Sequence, residues 1–144
     1  MMTEQEYISA AIGKLVTGGF ILSGTPTNAT EFKEMYKKAQ DDGTHAPDTS
    51  ITWTQVKSKV TEVKEEYNLL FLRQKRDLLL QQTDWVVIKE REEGGSVSNF
   101  ADWKKYRQEL RDITSGIDSI AKIEEKLKQD KDGKLVNFPT APSE

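Results

Sequence analysis

The chain has 144 residues with no cysteine and a formal net charge of -3; 31% of its residues are charged against 35% hydrophobic. One domain fits this length, but so sparse an apolar complement suits a helical or oligomeric protein better than a thick globular enzyme. The absence of cysteine excludes disulfides and thiolate chemistry, and the acidic balance argues against nucleic acid, whose phosphates need a concentrated excess of Lys and Arg.

The charge is uneven. The first fifty residues hold four lysines against seven acidic residues, whereas the remainder balances. The N-terminus, MMTEQEYISAAIGKL, lacks the basic stretch ahead of an apolar run that marks a secretory signal, and no apolar run approaches the ~20 residues of a membrane span. A soluble protein acting in the cytoplasm where it is made is expected, with neither membrane nor nucleic acid as a partner.

Taken in order, Thr3–Val16 carries Tyr7, Ile8, Ala11, Ile12 and Leu15 at steps of three and four behind Thr3, with Glu6 three residues on. This predicts a short helix opened by a capping box and closed at Gly18-Gly19. The apolar run Phe20–Leu22 lies between glycines and reads as a strand. Thr27–Gln40 places Phe32, Met35, Tyr36 and Ala39 at helical spacing, with Thr27, Asn28 or Thr30 as cap, and predicts a second helix stopped by Asp41-Asp42-Gly43. Ile51 and Trp53 alternate with polar neighbours, the period of a strand, and pairing with Phe20–Leu22 would give a two-stranded sheet.

The dominant element begins near Thr54 and runs to Trp85. Val56, Val60, Val63, Tyr67 and Leu70 form one stripe, after which the seam is better followed through Phe71, the slip that a four-residue stutter produces. A helix of roughly 28 residues is about 42 Å long, so its seam must be covered either by shorter helices of the same chain or by copies of itself. The first alternative gives a core against Phe32, Tyr36, Leu110 and Ile113. The second gives a homotypic coiled coil. Trp85–Ile88 reads as a short extended piece, followed by the charge run Lys89–Glu93 and a turn at Gly94-Gly95-Ser96. Ser98 or Asn99 caps a returning helix with Phe100, Trp103, Tyr106 or Arg107, Leu110 and Ile113 on its buried face. Past a break at Gly116, Ile117, Ile120, Ile123 and Leu127 continue the helical period to about Lys131; Leu135–Phe138 reads as extended, and Pro139 and Pro142 keep the last residues out of a helix.

The sequence thus describes a mainly α fold: a long amphipathic helix, a C-terminal helical hairpin and a small two-stranded N-terminal sheet. Two domains are expected, a small α/β part at 1–53 and the helical part at 54–144. No catalytic set emerges. His45 stands alone in a polar loop, Asp41, Asp42 and Asp48 lack the ligand spacing of a cation loop, and the pairs Glu65-Glu66 and Glu92-Glu93 point to different faces. Neither Gly18-Gly19 nor Gly94-Gly95 has the context of a phosphate cradle, so no metal or other cofactor is expected.

Two segments carry a family resemblance. RDLLLQQTDW, from Arg76 to Trp85, and WKKYRQELRDI, from Trp103 to Ile113, resemble the phage tail assembly chaperone and tail-fibre accessory family. The matching residues are Arg76, Leu79, Thr83, Asp84 and Trp85, then Trp103, Tyr106, Arg107, Gln108, Leu110, Arg111, Asp112 and Ile113. Phe138-Pro139 with Pro142 echoes the family's closing Phe-Pro-x-x-Pro, whereas Thr114 replaces a proline and an extra helix precedes the tail.

The resemblance implies a non-enzymatic bacteriophage tail protein, either a virion component of tail, fibre or baseplate or an assembly factor. Its partners would be other tail or fibre proteins, with a homo-oligomer as a further possibility, and it would act in the virion tail or in the host cytoplasm during assembly. The alternative class is a cytoplasmic regulator of a host protein. Residue chemistry adds that Arg76 and Arg111 near two helix ends, with Asp84 and Asp112 near the turns, would lock a hairpin whose corner the indoles of Trp85 and Trp103 fill.

Overall fold

The computed structural model describes residues 1–143 and is mainly helical, with a small antiparallel sheet near the N-terminus. It divides into two compact units, Met1–Glu66 and the residues from Tyr67 onward.

In the first unit, helix α1 (Glu4–Leu15) opens with the expected box: the Thr3 hydroxyl accepts the Glu6 amide at 3.3 Å, and the Glu6 carboxylate accepts the Thr3 amide. Its buried face, Tyr7, Ile8, Ala11 and Ile12, joins Phe32, Tyr36 and Ile51 in one core. The same core takes Val56, Val60 and Val63 from helix α3 (Trp53–Gln82). The valine half of the seam is therefore covered by its own chain. Lys14 with Glu66 and Lys64 with Glu4 form ion pairs between α1 and α3, exposed and worth little individually.

The sheet differs from expectation in its partners. It has three antiparallel strands, β1 (Phe20–Leu22), β2 (Tyr36–Ala39) and β3 (His45–Ala46), in that spatial order, with Leu22 opposite Tyr36 and Phe20 opposite Lys38. Helix α2 (Ala29–Met35), capped by the Asn28 side chain on the Glu31 amide, stops where β2 starts, so Tyr36–Ala39 is strand rather than helix. The two readings are hard to separate in sequence, because Tyr36 is buried and stacked on Phe32, ring centroids 5.0 Å apart, at the junction of both elements. The Ala39 amide bonds to the Gly19 carbonyl at 2.8 Å, and a Cβ on Gly19 would lie 3.3 Å from the Ala39 Cβ. That close approach explains a glycine ahead of the first strand. The Asp41-Asp42-Gly43 stretch, read as a helix stop, is the β2–β3 turn, with Gly43 at φ 82° and the Asp42 carboxylate accepting the Thr44 amide.

Ile51 and Trp53 do not form the expected strand. Ile51 is buried in the core and Trp53 begins α3, its ring 5.6 Å from that of Phe32. Alternation over four residues is satisfied equally by a loop entering a helix, and here Thr52 and Gln55 cap each other's amides, at 3.2 and 2.8 Å, which fixes the helix start.

In the second unit the remainder of α3 is followed by α4 (Asp84–Glu93), α5 (Phe100–Arg111), a 3-10 turn at Asp112–Thr114 and α6 (Ile120–Lys126). The expected extended piece at Trp85–Ile88 is the first half of α4. Val86 is buried against Trp103, Tyr106 and Leu110, and this burial outweighs the strand preference of Val-Val-Ile. A second cluster joins Leu72, Ile113, Ile123 and Leu127. Helix α6 ends earlier than its apolar period suggests, because Lys128–Val136 folds back into a tight turn whose amides at 132 and 134 bond to the Asp130 carboxylate. Of the expected extended residues 135–138, Leu135 makes a single antiparallel bridge, to Gln129. Among the described residues no helix is long and apolar enough to cross a membrane.

Asp48 ties down the loop between β3 and α3. It accepts the Ser50 amide at 2.9 Å and the Tyr36 hydroxyl at 2.7 Å, and these two bonds hold its carboxyl below the usual carboxylate range. Burial, then the bond to Asp48, raises the Tyr36 phenol. A carboxyl lowered on folding adds stability above its unfolded value and loses it as the pH falls through the folded one. Asp48→Asn is expected to be less stable than the natural chain at neutral pH, with the difference closing as the pH drops below about 4, as followed by urea unfolding across that range.

Candidate interaction site

The corner between α3 and α4 is built from Thr83. Its hydroxyl donates to the carbonyls of Leu79 at 3.1 Å and Leu80 at 3.0 Å, pulling the last turn of α3 closed, and its amide bonds to Leu80. Arg107 from α5 completes the corner. One terminal nitrogen, Nη1, donates to the Leu80 carbonyl and to the Thr83 hydroxyl oxygen, both at 2.7 Å, and Nη2 donates to the Asp84 carboxylate at 2.7 Å. A cation is thus seated on the carbonyl end of one helix and on the first acidic residue of the next, where the backbone partial charge favours it. The guanidinium plane fits three acceptors that no ammonium could reach together. Arg107 is 8% exposed.

Beside this clamp the aromatic side chains meet edge to face: Trp85 and Trp103 at 5.9 Å between centroids, Trp103 and Tyr106 at 6.0 Å. Trp103 is 5% exposed and its indole nitrogen donates to Asn99 Oδ1 at 3.1 Å, which explains why Asn99 heads α5 without capping it. Trp85 remains 42% exposed. The two indoles were expected to share a filled corner; they touch there, but one is core and the other is surface.

The remaining motif residues separate by role. Leu79 and Leu110 pack in the cluster around Val86, while Ile113 packs with Leu72. The ion pairs expected of Arg76 and Arg111 are not made between helices. Arg76 bonds to its neighbour Asp77, Asp112 accepts from Gln108, and among the described residues Arg111 has no ion pair. The interhelical pair belongs to Arg107, four positions from Arg111 and therefore one turn earlier on nearly the same face, where it meets the chain break at Thr83. Along the seam, Tyr67 and Leu70 are exposed, and Phe71 is half-buried beneath Lys75, whose Nζ lies 5.1 Å from the ring centre.

Sequence reasoning missed the outward surface of α4. Trp85 and Ile88, three apart on one helix, are exposed together with Val87, and Leu78 is exposed near the end of α3. Asp84 in the first turn and Arg91 in the last were the available signs of a helix there. Among the described residues no group of His, Cys, Asp or Glu is arranged to hold a metal. Tyr106 has its phenol raised by burial, as befits a core residue.

Residues 70–124 match the family model of the phage tail assembly chaperone protein. The matched span holds the end of α3, α4, α5, the 3-10 turn and the start of α6, and so contains the Thr83–Arg107 clamp and the exposed α4 residues. It extends beyond Ile113 to Glu124, so the start of the helix taken in sequence as an addition to the family pattern lies within the match. No curated protein and no solved structure matches the chain significantly.

The relative weight of the clamp's bonds is testable. The Asp84 side chain is 54% exposed, so its charge pair contributes little, whereas removing Arg107 takes away two shielded charged hydrogen bonds, leaving the Leu80 carbonyl only the Thr83 amide and hydroxyl. Arg107→Ala is expected to lower stability by about 2–4 kcal/mol and Asp84→Asn by under about 1 kcal/mol, with Arg107→Lys close to the alanine variant, in urea unfolding at neutral pH.

Proposed function

We propose that the chain is a non-enzymatic assembly factor for a phage tail, binding other tail or fibre proteins during morphogenesis in the host cytoplasm. The observation that carries this reading is the match of residues 70–124 to the tail assembly chaperone family. Its mechanism is recognition by a rigid helical corner. The clamp fixes α4 relative to α5, and α4 then presents Trp85, Val87 and Ile88 to solvent as a ready apolar surface.

Such a surface suits a protein whose task is to cover apolar area on an incomplete partner. A large aromatic flanked by aliphatic residues is the composition of an interface centre, and the neighbouring charges Asp84, Lys89 and Glu92 give it a polar rim. Because Val87 and Ile88 are exposed and lie outside the packed clusters, changing them leaves the fold intact, whereas Trp85 also packs edge to face on Trp103. These features support binding over catalysis: the ordered polar groups at this corner are engaged in holding helices, and among the described residues none of them is joined to a second group in a nucleophile-base or acid-base arrangement.

In phage carrying an amber mutation in this gene, growth on a non-suppressing host is expected to give particles with absent or incomplete tails. Complementation with the double variant Val87→Ser, Ile88→Ser is expected to fail although the purified variant unfolds within a few degrees of the natural chain, since surface changes alter stability by only ~0.5 kcal/mol. Normal tails from the amber mutant would overturn the assembly role. Mass spectrometry of purified particles should find the chain absent; finding it in stoichiometric amount would make it a virion component instead.

A further inference from the structure

A second surface of the C-terminal unit carries its own chemistry. A groove of about 620 Å³ has Leu79, Tyr106, Leu135, Val136 and Phe138 among its lining residues, with Pro139–Ala141 along one side. Its size falls within the ~300–1,000 Å³ of ligand sites. Two cations, Lys75 and Lys134, also line it, and among the described residues neither has a carboxylate within ion-pair distance. The third charge, Asp130, is turned to the amides of Asp132 and Lys134, both 2.9 Å from its Oδ1. The groove thus couples an apolar lining to two lysines that are in no ion pair among the described residues, Asp130 being engaged by backbone amides.

We propose that this groove receives an extended, acidic-aliphatic peptide segment of a partner tail protein, its aliphatic side chains on the apolar lining and its carboxylates paired with Lys75 and Lys134. The proposal rests on the assembly role above but uses a surface separate from the exposed α4 residues. Charge complementarity selects the occupant. Two lysines, with an aspartate beside them, are too few cations for a nucleic-acid track, in a chain whose net charge is -3. A small polar ligand needs fixed buried donors or acceptors aimed at it, and the one buried side-chain atom lacking a bond among the described residues, Arg107 Nε, does not line this groove. Aliphatic side chains followed by carboxylates meet both halves of the lining at once, with the charges setting specificity.

The groove's side is tethered to the clamp region. Asn99, which accepts from the Trp103 indole, donates its own amide to the Ser143 carbonyl at 2.6 Å, holding the chain that passes through Pro139–Ala141. One side chain thereby fixes both the aromatic corner and the tail that bounds the groove.

The test uses the purified full chain and three fluorescein-labelled nonapeptides sharing a Leu-Ile-Leu centre, flanked by Glu, Gln or Lys. Fluorescence anisotropy is expected to show the Glu peptide binding about tenfold or more tighter than the Gln peptide, and the Lys peptide weakest. K75E/K134E, with folding checked by thermal unfolding because Lys75 is half-buried over Phe71, is expected to reverse that order, and exposed K134E alone to narrow it. Val136→Asp, at an exposed lining position, is expected to weaken the Glu and Gln peptides by lost apolar contact and, for Glu, by repulsion. No binding by any peptide, equal binding of the Glu and Gln peptides, or an order unmoved by K75E/K134E would overturn the proposal. Self-association of the chain abolished by Val136→Asp would also overturn it, assigning the groove to a second copy. A chain that binds none of the peptides yet restores tails to the amber mutant would lose the groove proposal while keeping the assembly role.

Discussion

Everything in the C-terminal unit depends on how one helix is ended and the next begun. Helices α3 and α4 are separated by a single residue, Thr83, and a one-residue break leaves carbonyl groups without amide partners in a semi-buried place. Arg107 supplies the donors from α5, and the Thr83 hydroxyl supplies one more. The pairing with Asp84 orients the guanidinium, but the bonds to Leu80 and Thr83 matter more, because they are shielded from water whereas half of the Asp84 side chain is exposed. The unbonded Arg107 Nε is the local expense of the arrangement.

From that junction the surrounding features follow. With the break fixed, Val86 is directed into the cluster of Trp103, Tyr106 and Leu110, and Trp85, one residue earlier, emerges at the surface. The Trp103 indole then has one available acceptor, Asn99, which in turn holds the C-terminal tail through Ser143. Two separate sets of hydrogen bonds thus tie α5 to its surroundings, one from Arg107 to the end of α3 and one through Asn99 to the last described residue. Apolar side chains left outside these sets, Ile88 at 53% exposure among them, are offered by a backbone already in place, so binding through them requires little further ordering.

Much of this was legible in the sequence because it rests on local chemistry. The Thr3–Glu6 box, the valine stripe of α3 and the returning helix with Trp103, Tyr106 and Leu110 are each set by side chains within a turn or two of one another. What was not legible depended on long-range partners. The helical spacing of Phe32, Tyr36 and Ala39 could not reveal that Tyr36 leaves the helix to pair with Leu22 and reach Asp48. Trp85–Ile88 has strand-forming residues, and only the buried seat of Val86 decides for helix. The interhelical pairs expected of Arg76 and Arg111 are replaced by one from Arg107: the three arginines are chemically equivalent in sequence, and the position of Thr83 opposite α5 selects among them. The valine seam admitted either the chain's own core or a second copy, and the first unit covers it with Tyr7, Ile8 and Ile12.

The most direct measurement of the clamp is nitrogen-15 NMR of the arginine side chains in the intact protein. A guanidinium bonded to the Leu80 carbonyl, Thr83 and Asp84 should give resolved, slowly exchanging Nη–H signals for Arg107 at neutral pH, with hindered rotation about its Cζ–N bonds. A single averaged signal exchanging with water at the rate of the surface arginines would show that the guanidinium does not hold the end of α3, and would contradict the account of both the corner and the surface it presents.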